Sequence, residues 1–225
     1  MPNIVIDVKN LYKIYRVGDE RVKALNGVSF QIEKGKFIAV TGTSGSGKST
    51  LLNMLAGLER PTKGEIVIAG EHMENKSESQ LVDFRRAHVG FIFQSYNLLK
   101  EMDAVENVAM PLMFQGIDRK SREAKAKKML EMVGLKKYMH HKPGQMSGGQ
   151  QQRVGIARAL VVNPEIIFAD EPTGNLDSKT SMETLKLMQR VVTENNQTIV
   201  MVTHDNYLAG FADEIIRIKD GRIEY

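Results

Sequence analysis

One segment near the N-terminus has the residue types and spacing of a phosphate-binding loop. Residues 42–49 read GTSGSGKS and fit the pattern G-x-x-x-x-G-K-[ST], with a strand-like run, FIAVT, before them and an apolar helical segment, STLLNMLAGL, that begins at the last of them. Glycines let backbone N–H groups close around phosphates, and the start of the following helix favours negative charge. Lys48 would neutralise the β- and γ-phosphates, and Ser49 would give its hydroxyl to Mg²⁺. The pattern favours nucleotide binding over a flexible turn, with the binding set Gly42, Thr43, Ser44, Gly45, Ser46, Gly47, Lys48, Ser49 and Thr50.

A second candidate lies where an apolar strand ends in two carboxylates. Residues 165–171 read EIIFADE. In an open parallel sheet, ligands bind beyond the carboxyl ends of the strands, so Asp170 is placed to hold Mg²⁺ through its water shell. Glu171 would then orient and polarise a water that attacks the γ-phosphate. The alternative is that two acids simply end a strand in solvent, but the phosphate-loop pattern favours the catalytic interpretation.

A second glycine-rich turn, MSGGQQQR at residues 146–153, opens the helical segment VGIARALVV. Ser147 and Gln150 have the spacing of a capping box, which would explain them structurally. A cap does not need Gly148 and Gly149 in the first turn, where each glycine costs about 1 kcal/mol relative to alanine. Two glycines at a helix start suit a backbone that approaches an anion closely. The sequence therefore predicts a second anion-binding helix N-terminus.

This turn resembles the signature motif of ABC-type ATPases, and the other motifs of that family follow in the expected order over essentially the whole chain. Gln94, at the end of VGFIFQ, resembles the Q-loop glutamine, and residues 174–177, GNLD, resemble the D-loop. His204, at the end of TIVMVTH, resembles the switch histidine. Tyr15, in KIYR, lies where the family has an aromatic residue that stacks on adenine. Met146 and Thr43 are the two small departures from the common pattern, and neither puts activity in doubt.

The resemblance implies a dimeric ATPase with ATP and Mg²⁺ as its ligands. Family members bind two ATP molecules between two head-to-tail subunits, so Ser147 and Gly149 would contact a γ-phosphate held by the other subunit, in a binding set that includes Gly148 and Gln150. Asp177 would reach across the dimer interface. Because the chain carries one copy of each motif, it must pair with itself or with a similar chain, and a homodimer would complete both sites.

The resemblance also implies individual roles within each site. Gln94 would ligate Mg²⁺ together with Ser49 and Asp170 and would sense the γ-phosphate. His204 would hydrogen-bond that phosphate and help to position the attacking water. The implied catalytic residues are Glu171, His204, Lys48 and Gln94.

The stretches FQSYNLL, AVENVAMPLM and ADEPTGNLDSKT most resemble the MacB/LolD group of the family. That group implies an integral membrane permease partner, with ATP cycling that drives export or mechanical motion, as in lipoprotein release or in macrolide or antimicrobial-peptide efflux. The alternatives are a cell-division-type ATPase that regulates a membrane partner, a soluble ABC ATPase that acts on ribosomes or DNA, and a P-loop kinase. Met102, Met110 and Met113 are candidates for a surface that receives a permease helix, because methionine adapts to partner surfaces; ordinary core packing is the alternative.

Composition narrows the class further. The 225 residues carry a formal net charge of +4, which is too small and too dispersed to predict nucleic-acid binding. The sequence contains no cysteine, which excludes disulfides, thiolate zinc sites and a cysteine nucleophile. No apolar run approaches the roughly 18 residues that a membrane span needs, and the N-terminus lacks signal-peptide features. We therefore expect a cytoplasmic protein, bound peripherally at the inner face of the cell membrane through a permease partner.

The elements that must position these residues follow from the hydrophobic pattern. Short strands in the first third predict an antiparallel β layer, and residues 95–161 appear mostly helical, with helices at 104–114, 121–132 and 147–161. The last third alternates nearly apolar strands with helices at 178–195 and near 207–212, which is typical of a parallel sheet covered on both faces. The predicted fold is α/β, a P-loop NTPase of the ABC ATPase type with a RecA-like parallel-sheet core, an N-terminal antiparallel β layer and an inserted helical subdomain. We expect a single domain over 1–225, with the α/β core at about 1–94 and 162–225 and the helical subdomain at about 95–161.

Overall fold

The computed structural model describes residues 3–224 and contains two β-sheets. In chain order the strands are β1 (Ile4–Val17), β2 (Glu20–Glu33), β3 (Phe37–Thr41), β4 (Lys63–Ile68), β5 (Glu71–His72), β6 (Val89–Phe93), β7 (Ile166–Asp170), β8 (Thr198–Val202), β9 (Glu214–Lys219) and β10 (Arg222–Glu224). The α-helices are α1 (Lys48–Leu55), α2 (Glu78–His88), α3 (Ala104–Phe114), α4 (Arg119–Met132), α5 (Gly148–Leu160), α6 (Ser178–Asn195) and α7 (Asn206–Ala209). Three short 3₁₀ turns complete the regular structure at Met73–Asn75, Lys136–Tyr138 and Pro143–Gln145.

The first sheet is antiparallel and has the order β2-β1-β4-β5. The second has the order β10-β9-β3-β8-β7-β6, in which β9, β3, β8, β7 and β6 run parallel and β10 is an antiparallel edge strand. One antiparallel layer and one parallel core sheet confirm the predicted α/β fold class.

The parallel sheet brings three strand ends to one edge. Strands β3 and β8 are buried along their whole length, and β7 is buried up to Asp170, because continuous β-branched and apolar runs are stable only where both faces are covered. The register pairs Val202 of β8 with Val40 of β3 and with Asp170 of β7. The loops that leave β3, β7 and β8 therefore start side by side.

Helices α3, α4 and α5 enclose a hydrophobic cluster of their own, separate from the two clusters that line the sheets. Asn107 of α3 is fully buried and fixes the segment before the helix: its Oδ1 accepts from Leu99 N at 2.8 Å, and its Nδ2 donates to the carbonyls of Leu99, Met102 and Asp103. Helix α5 also contributes Ile156 and Leu160 to the sheet cluster that contains α6. The helical segment is thus anchored to the core through α5, and its boundaries at 95 and 161 stay a prediction.

The secondary structure differs from the sequence-based expectation at two helices and two edge strands. Helix α2 was not predicted; a capping box between Ser77 and Gln80 starts it, and Leu81 and Phe84 bury its inner face. The short helix expected at 207–212 is α7, which ends at Ala209 because Gly210 and the residues after it form a turn. The edge strands β5 and β10 were not predicted. Within residues 3–224, none of the helices is long and apolar enough to cross a bilayer.

Candidate nucleotide site

The phosphate-loop candidate connects β3 to α1, as its sequence context predicts. Gly42, Gly45 and Gly47 adopt φ angles of 154°, 79° and 106°, in the region that favours glycine. Space also requires two of them: a Cβ at Gly42 would lie 2.1 Å from the Ile218 carbonyl oxygen, and one at Gly47 would lie 2.3 Å from the carbonyl oxygen of Ala24. The loop is therefore held closed against β9 and β2, with its backbone available to an anion.

Lys48, the first residue of α1, points back into this loop. Its side chain is buried, and its Nζ donates to the carbonyls of Gly42 at 2.8 Å and Thr43 at 2.7 Å. Burial lowers the pKa of Lys48, while the charges of Glu171 and Asp170 act in the opposite direction. The ammonium group therefore contacts the loop directly and is near enough to the two predicted carboxylates for their charges to raise its pKa.

A cavity of about 480 Å³ lies over the loop and collects residues from distant parts of the sequence. Its lining includes Glu171 and His204 with the phosphate loop, and the whole set is Ala24, Ser44, Gly45, Gly47, Lys48, Ser49, Thr50, Glu171 and His204. Three chemically different predicted groups, a lysine, a carboxylate and a histidine, thus meet at the carboxyl edge of the parallel sheet.

The two acids at the end of β7 have different environments. Burial raises the pKa of Asp170, the charge of Glu171 raises it further, and Lys48 opposes both effects. Glu171 lies just beyond the strand with φ of +43°, an unfavourable conformation for a residue other than glycine and one that often occurs at functional sites. His204 Nδ1 lies 3.0 Å from Glu171 Oε1, so the imidazole orients this carboxylate.

Gln94 follows β6 and contacts the segment that follows Glu171. Asn175 Nδ2 donates to the Gln94 carbonyl oxygen at 3.0 Å. A Cβ at Gly174 would lie 2.6 Å from Gln94 Nε2, so the glycine makes room for the glutamine side chain. The Q-loop and D-loop candidates are therefore neighbours, although 80 residues separate them in the sequence.

Tyr15 is fixed by a carboxylate that sequence analysis did not identify. Its hydroxyl donates to Glu59 Oε2 at 2.6 Å, and Glu59 also accepts from Asn53 Nδ2 at 3.1 Å and pairs with Lys13 Nζ at 3.3 Å. Burial raises the pKa of Tyr15, as does its bond to Glu59, and that bond lowers the pKa of Glu59. The ring is thereby held beside α1, close to Thr50.

The second glycine-rich turn lies apart from this cavity. Residues 147–150 are not among the described residues that line it. The capping box exists: Ser147 N donates to Gln150 Oε1 at 2.9 Å, and Gln150 N donates to Ser147 Oγ at 3.3 Å. Gly149 packs tightly, since a Cβ there would lie 2.5 Å from Thr180 Cγ2. The structural interpretation is correct for Ser147 and Gln150. The cap occupies the N–H group of Gln150 but leaves those of Gly148 and Gly149 without intrahelical acceptors.

Asp177 is the N-cap of α6. It accepts from Lys179 N and Thr180 N at 3.1 Å and from Thr180 Oγ1 at 2.6 Å. These hydrogen bonds, first of all the one from the Thr180 side chain, lower the pKa of Asp177. Its reach across a dimer interface stays a prediction.

The residues predicted to hold Mg²⁺ offer suitable donors. A carboxylate, a hydroxyl and an amide oxygen are hard oxygen ligands of the kind that Mg²⁺ prefers. A set of only three protein ligands suits an ion whose remaining ligands are substrate phosphates and water. No group of three or more histidine, aspartate or glutamate residues that could hold a metal by itself occurs between residues 3 and 224. Ser49, Gln94 and Asp170 therefore fit a metal that arrives with a nucleotide.

Several residues of the site carried no usable sequence signal. Glu59 and Arg158 act through contacts with residues far away in the chain, Thr180 donates to Asp177 three residues before it, and only Asn175 lies within a recognised motif. Their roles follow from packing, which pattern analysis of one sequence does not contain.

Comparison with known proteins identifies the family. The family model described as ABC transporter matches residues 25–174. An ABC transporter ATP-binding protein of Thermotoga maritima is 48% identical over 220 residues, which cover 98% of this chain and 94% of that protein. The lipoprotein-releasing system ATP-binding protein LolD of Geobacter metallireducens is 44% identical and covers 97% of both chains. The macrolide export ATP-binding/permease protein MacB of Hyphomonas neptunium is 47% identical over 97% of this chain, which spans 34% of that protein.

A solved structure agrees with these relatives. The ATP-binding cassette MJ0796, from Methanocaldococcus jannaschii, is dimeric in a post-hydrolysis state bound to ADP and Pi. It matches this fold with a TM-score of 0.90 and 42% identity, over 98% of this chain and 97% of that one. Family model, relatives and fold agree with the ordered motifs, and the chain therefore belongs to the ABC transporter family as an ATP-binding cassette.

Proposed function

We propose that this ATPase energises a membrane permease of the MacB/LolD type, in export or mechanotransmission. The single observation that carries the proposal is the cavity that combines the phosphate loop, Glu171 and His204, while the Ser147–Gln150 turn lies outside it. Such a site is complete only when a second subunit contributes that turn. We accordingly assign the chain to one domain that works as a homodimer at the inner face of the membrane, with no role for nucleic acid.

The chemistry proposed for the cavity is hydrolysis of the terminal phosphoanhydride of ATP. Backbone N–H groups of the loop and Lys48 hold the β- and γ-phosphates, and the Tyr15 ring stacks on the adenine. A water oxygen attacks the γ-phosphorus in line, its proton passes to the Glu171 carboxylate, and the bond to the ADP oxygen breaks. His204 keeps the carboxylate oriented toward that water through the 3.0 Å contact with Glu171.

Ser49, Gln94 and Asp170 are the residues that would hold Mg²⁺, which when bound neutralises charge on the phosphate oxygens. Asp170 has a raised pKa because it is buried beside Glu171. A divalent cation would remove the cost of two neighbouring negative charges. The assignment is supported by Ser49 in the lining of the phosphate-loop cavity and by the effect of the Lys48 charge on the pKa of Asp170.

The partner subunit would contribute the Ser147–Gln150 turn to the γ-phosphate. The N–H groups of Gly148 and Gly149 have no intrahelical acceptor, and the absence of a side chain at both residues suits contact with an anion. The dimeric state of the related cassette MJ0796 supports this arrangement. Asp177, close to the same turn through Thr180, would reach across the interface.

The permease would dock on the helical segment. Met102, Met110 and Met113 line one cavity of about 210 Å³ together with residues of α3 and α4. Met113 is 43% exposed, and the rim carries Glu106, Arg119, Arg122 and Glu123. An adaptable apolar floor with a rim of both charge signs suits a short amphipathic helix, which we assign to the cytoplasmic side of the permease.

The test is affinity capture from detergent-solubilised membranes of the source cell, with the Glu171→Gln variant loaded with Mg-ATP as bait. We expect a polytopic membrane protein to be captured in an ATP-dependent manner. The Met102→Ser/Met113→Ser bait should lose that protein while it retains ATP-dependent dimerisation, and the Met132→Ser bait, altered at a half-buried methionine outside the cavity, should retain it.

Three outcomes would contradict parts of the proposal. Recovery of the ATP-bound dimer without a membrane protein would contradict the transport role. Capture of a cell-division permease would replace it with the regulatory alternative. Equal capture by all methionine variants would refute the docking site alone.

A further inference from the structure

Helix α5 carries a polar stripe that faces two loops of the site. Gln152, Gly155 and Arg158 are spaced three residues apart and share one face of the helix. Gln152 is fully buried, and Arg158 is 8% exposed. Neither the hydrolysis chemistry nor the helical core requires polar side chains on this face.

Arg158 binds the turn that follows Gln94. Its Nη1 donates to the Asn97 carbonyl at 2.6 Å, and its Nη2 donates to the Tyr96 carbonyl at 2.8 Å. The turn packs over Gly155, where an added Cβ would make only an ordinary contact of 3.8 Å with the Tyr96 oxygen, so the approach does not depend on glycine. The two arms of the guanidinium thus hold consecutive peptide groups.

This turn has an unfavourable backbone that needs such support. Tyr96 and Asn97 adopt φ angles of 60° and 48°, two left-handed residues in succession, neither of them glycine. Conformations of this kind persist where surrounding contacts enforce them. The turn begins directly after Gln94, so the contacts that fix it also fix where that glutamine points.

A contribution to the stability of the fold does not by itself explain why the charged side chain of Arg158 is buried here. Among residues 3–224, no carboxylate lies within salt-bridge distance of this guanidinium, and burial lowers the pKa of Arg158. A buried cation without a counter-ion is costly even when hydrogen-bonded. A guanidinium is nevertheless the side chain whose planar fork can hold two adjacent carbonyls at once.

Gln152 makes the equivalent contact on the other loop. Its Nε2 donates to the Pro172 carbonyl at 2.6 Å, directly after Glu171. Its Oε1 has no hydrogen-bond partner within the part of the chain that the structure describes. The side chain therefore serves a single contact, and that contact lies beside the proposed catalytic carboxylate.

We propose that Arg158 and Gln152 are positioning residues that connect the glycine turn at the start of α5 to Gln94 and Glu171 of the same subunit. A phosphate held by the partner subunit meets the first turn of this rigid helix, and the stripe passes its displacement to both loops. Nucleotide bound at one site would then align the catalytic groups of the other. This inference rests on the proposed function, in which the Ser147–Gln150 turn acts in trans.

The experiment is a double-mutant cycle between Arg158→Lys and Gln94→Ala, read in steady-state ATPase kinetics of the full chain. Lysine keeps the charge but loses the two-carbonyl fork. We expect Arg158→Lys to lower kcat by about tenfold with KM for ATP within about twofold, because the phosphate loop is untouched. In the Gln94→Ala background, Arg158→Lys should have no further effect on kcat.

A matched control is Arg153→Lys on the same helix, where the arginine pairs with Glu183 instead of a loop carbonyl. It should leave kcat unchanged. If Arg158→Lys does not fold, Gln152→Met, uncharged and of similar volume, should lower kcat at unchanged KM and unchanged thermal unfolding midpoint.

The same factor of loss with and without Gln94, or a wild-type kcat in Arg158→Lys or Gln152→Met, would overturn the inference. Failure of the proposed function has a separate signature. A wild-type kcat in the Gln94→Ala variant would refute the role that the proposed function gives to Gln94 itself. A reduced kcat in Gln94→Ala together with a wild-type kcat in Arg158→Lys would overturn only the positioning role and leave the proposed hydrolysis site standing.

Discussion

Replacement of Gly149 by alanine separates packing within one subunit from contact with the other. The added Cβ would lie 2.5 Å from Thr180 Cγ2, and the next nearest atoms lie at 3.7 and 3.8 Å. Ordinary carbon contacts need about 3.5–4.0 Å, so the threonine methyl must move by about 1 Å. Overpacking of this kind costs about 1–3 kcal/mol, and alanine recovers up to about 1 kcal/mol of helix propensity. We expect Gly149→Ala to lower the free energy of unfolding by about 0–2 kcal/mol.

The second change, Thr180→Ser, removes only the clashing methyl group. Serine retains the hydroxyl that donates to Asp177 Oδ2, so the cap of α6 survives. The free energy of unfolding of Gly149→Ala/Thr180→Ser should therefore return to the wild-type value. ATP turnover should remain low, by about 100-fold, because the alanine side chain still keeps the partner's phosphate away from the backbone.

Urea unfolding and phosphate release at saturating ATP measure the two effects separately. Gly144→Ala is the matched control, because a Cβ at that position meets no atom within 4 Å. Its stability and turnover should stay close to those of the wild type. Wild-type turnover in Gly149→Ala/Thr180→Ser would show that Gly149 serves packing against Thr180, and it would refute the assignment of this turn to a phosphate.

Two further predictions concern the nucleobase and the metal. Tyr15→Phe keeps the ring but loses the 2.6 Å bond to Glu59, so KM for ATP should rise about two- to fivefold. Tyr15→Ala also loses a stacking contact worth roughly 1–3 kcal/mol and should raise KM at least about tenfold at unchanged kcat. Equal KM values for both variants would contradict the stacking role. Burial raises the pKa of Asp170 in the folded state, so the folded protein binds that proton more tightly than the unfolded chain, and stability falls as pH rises from the usual carboxyl range through the raised pKa. Nucleotide-free Asp170→Asn should accordingly unfold at a higher temperature than the wild type at neutral pH, and the difference should shrink near about pH 4. Mg-ATP should no longer raise the thermal unfolding midpoint of this variant. A lower midpoint than that of the wild type at neutral pH would contradict this electrostatic assignment.

Much of the fold could be predicted because its signals are local. Helices α3 and α6 begin and end where their periodicity predicts, and the buried strands β3, β7 and β8 are short apolar runs. Helix α2 was missed because only Leu81 and Phe84 are buried in a charged stretch, which leaves little periodicity. Its capping box, Ser77 with Gln80, was the available signal.

The site could be predicted only as far as its motifs. Motif spacing located the phosphate loop, Glu171 and His204, and the structure brings them together around one cavity. The contact of Tyr15 with Glu59 spans 44 residues, and that of Arg158 with Asn97 spans 61. Such contacts depend on the packing of several elements, so no local pattern specifies them.

The capping box at Ser147 shows how one motif can satisfy two interpretations. Its side-chain bonds to Gln150 are ordinary helix capping. The glycines between them are explained in part by Thr180 and Tyr96, since a Cβ at Gly148 would lie 2.8 Å from the Tyr96 hydroxyl. Packing and phosphate contact therefore both require glycine in this turn. Only variants that change one of these two contacts without the other can show which role the turn has.

The most direct test of the central claim is to measure association and hydrolysis together for Glu171→Gln. The protein is mixed with Mg-ATP, its mass is followed by light scattering during size exclusion, and phosphate release is measured on the same sample. The account predicts a stable ATP-bound dimer with turnover reduced by at least about 100-fold, because the site closes but lacks its general base. Wild-type turnover, or a chain that stays monomeric with ATP, would contradict it.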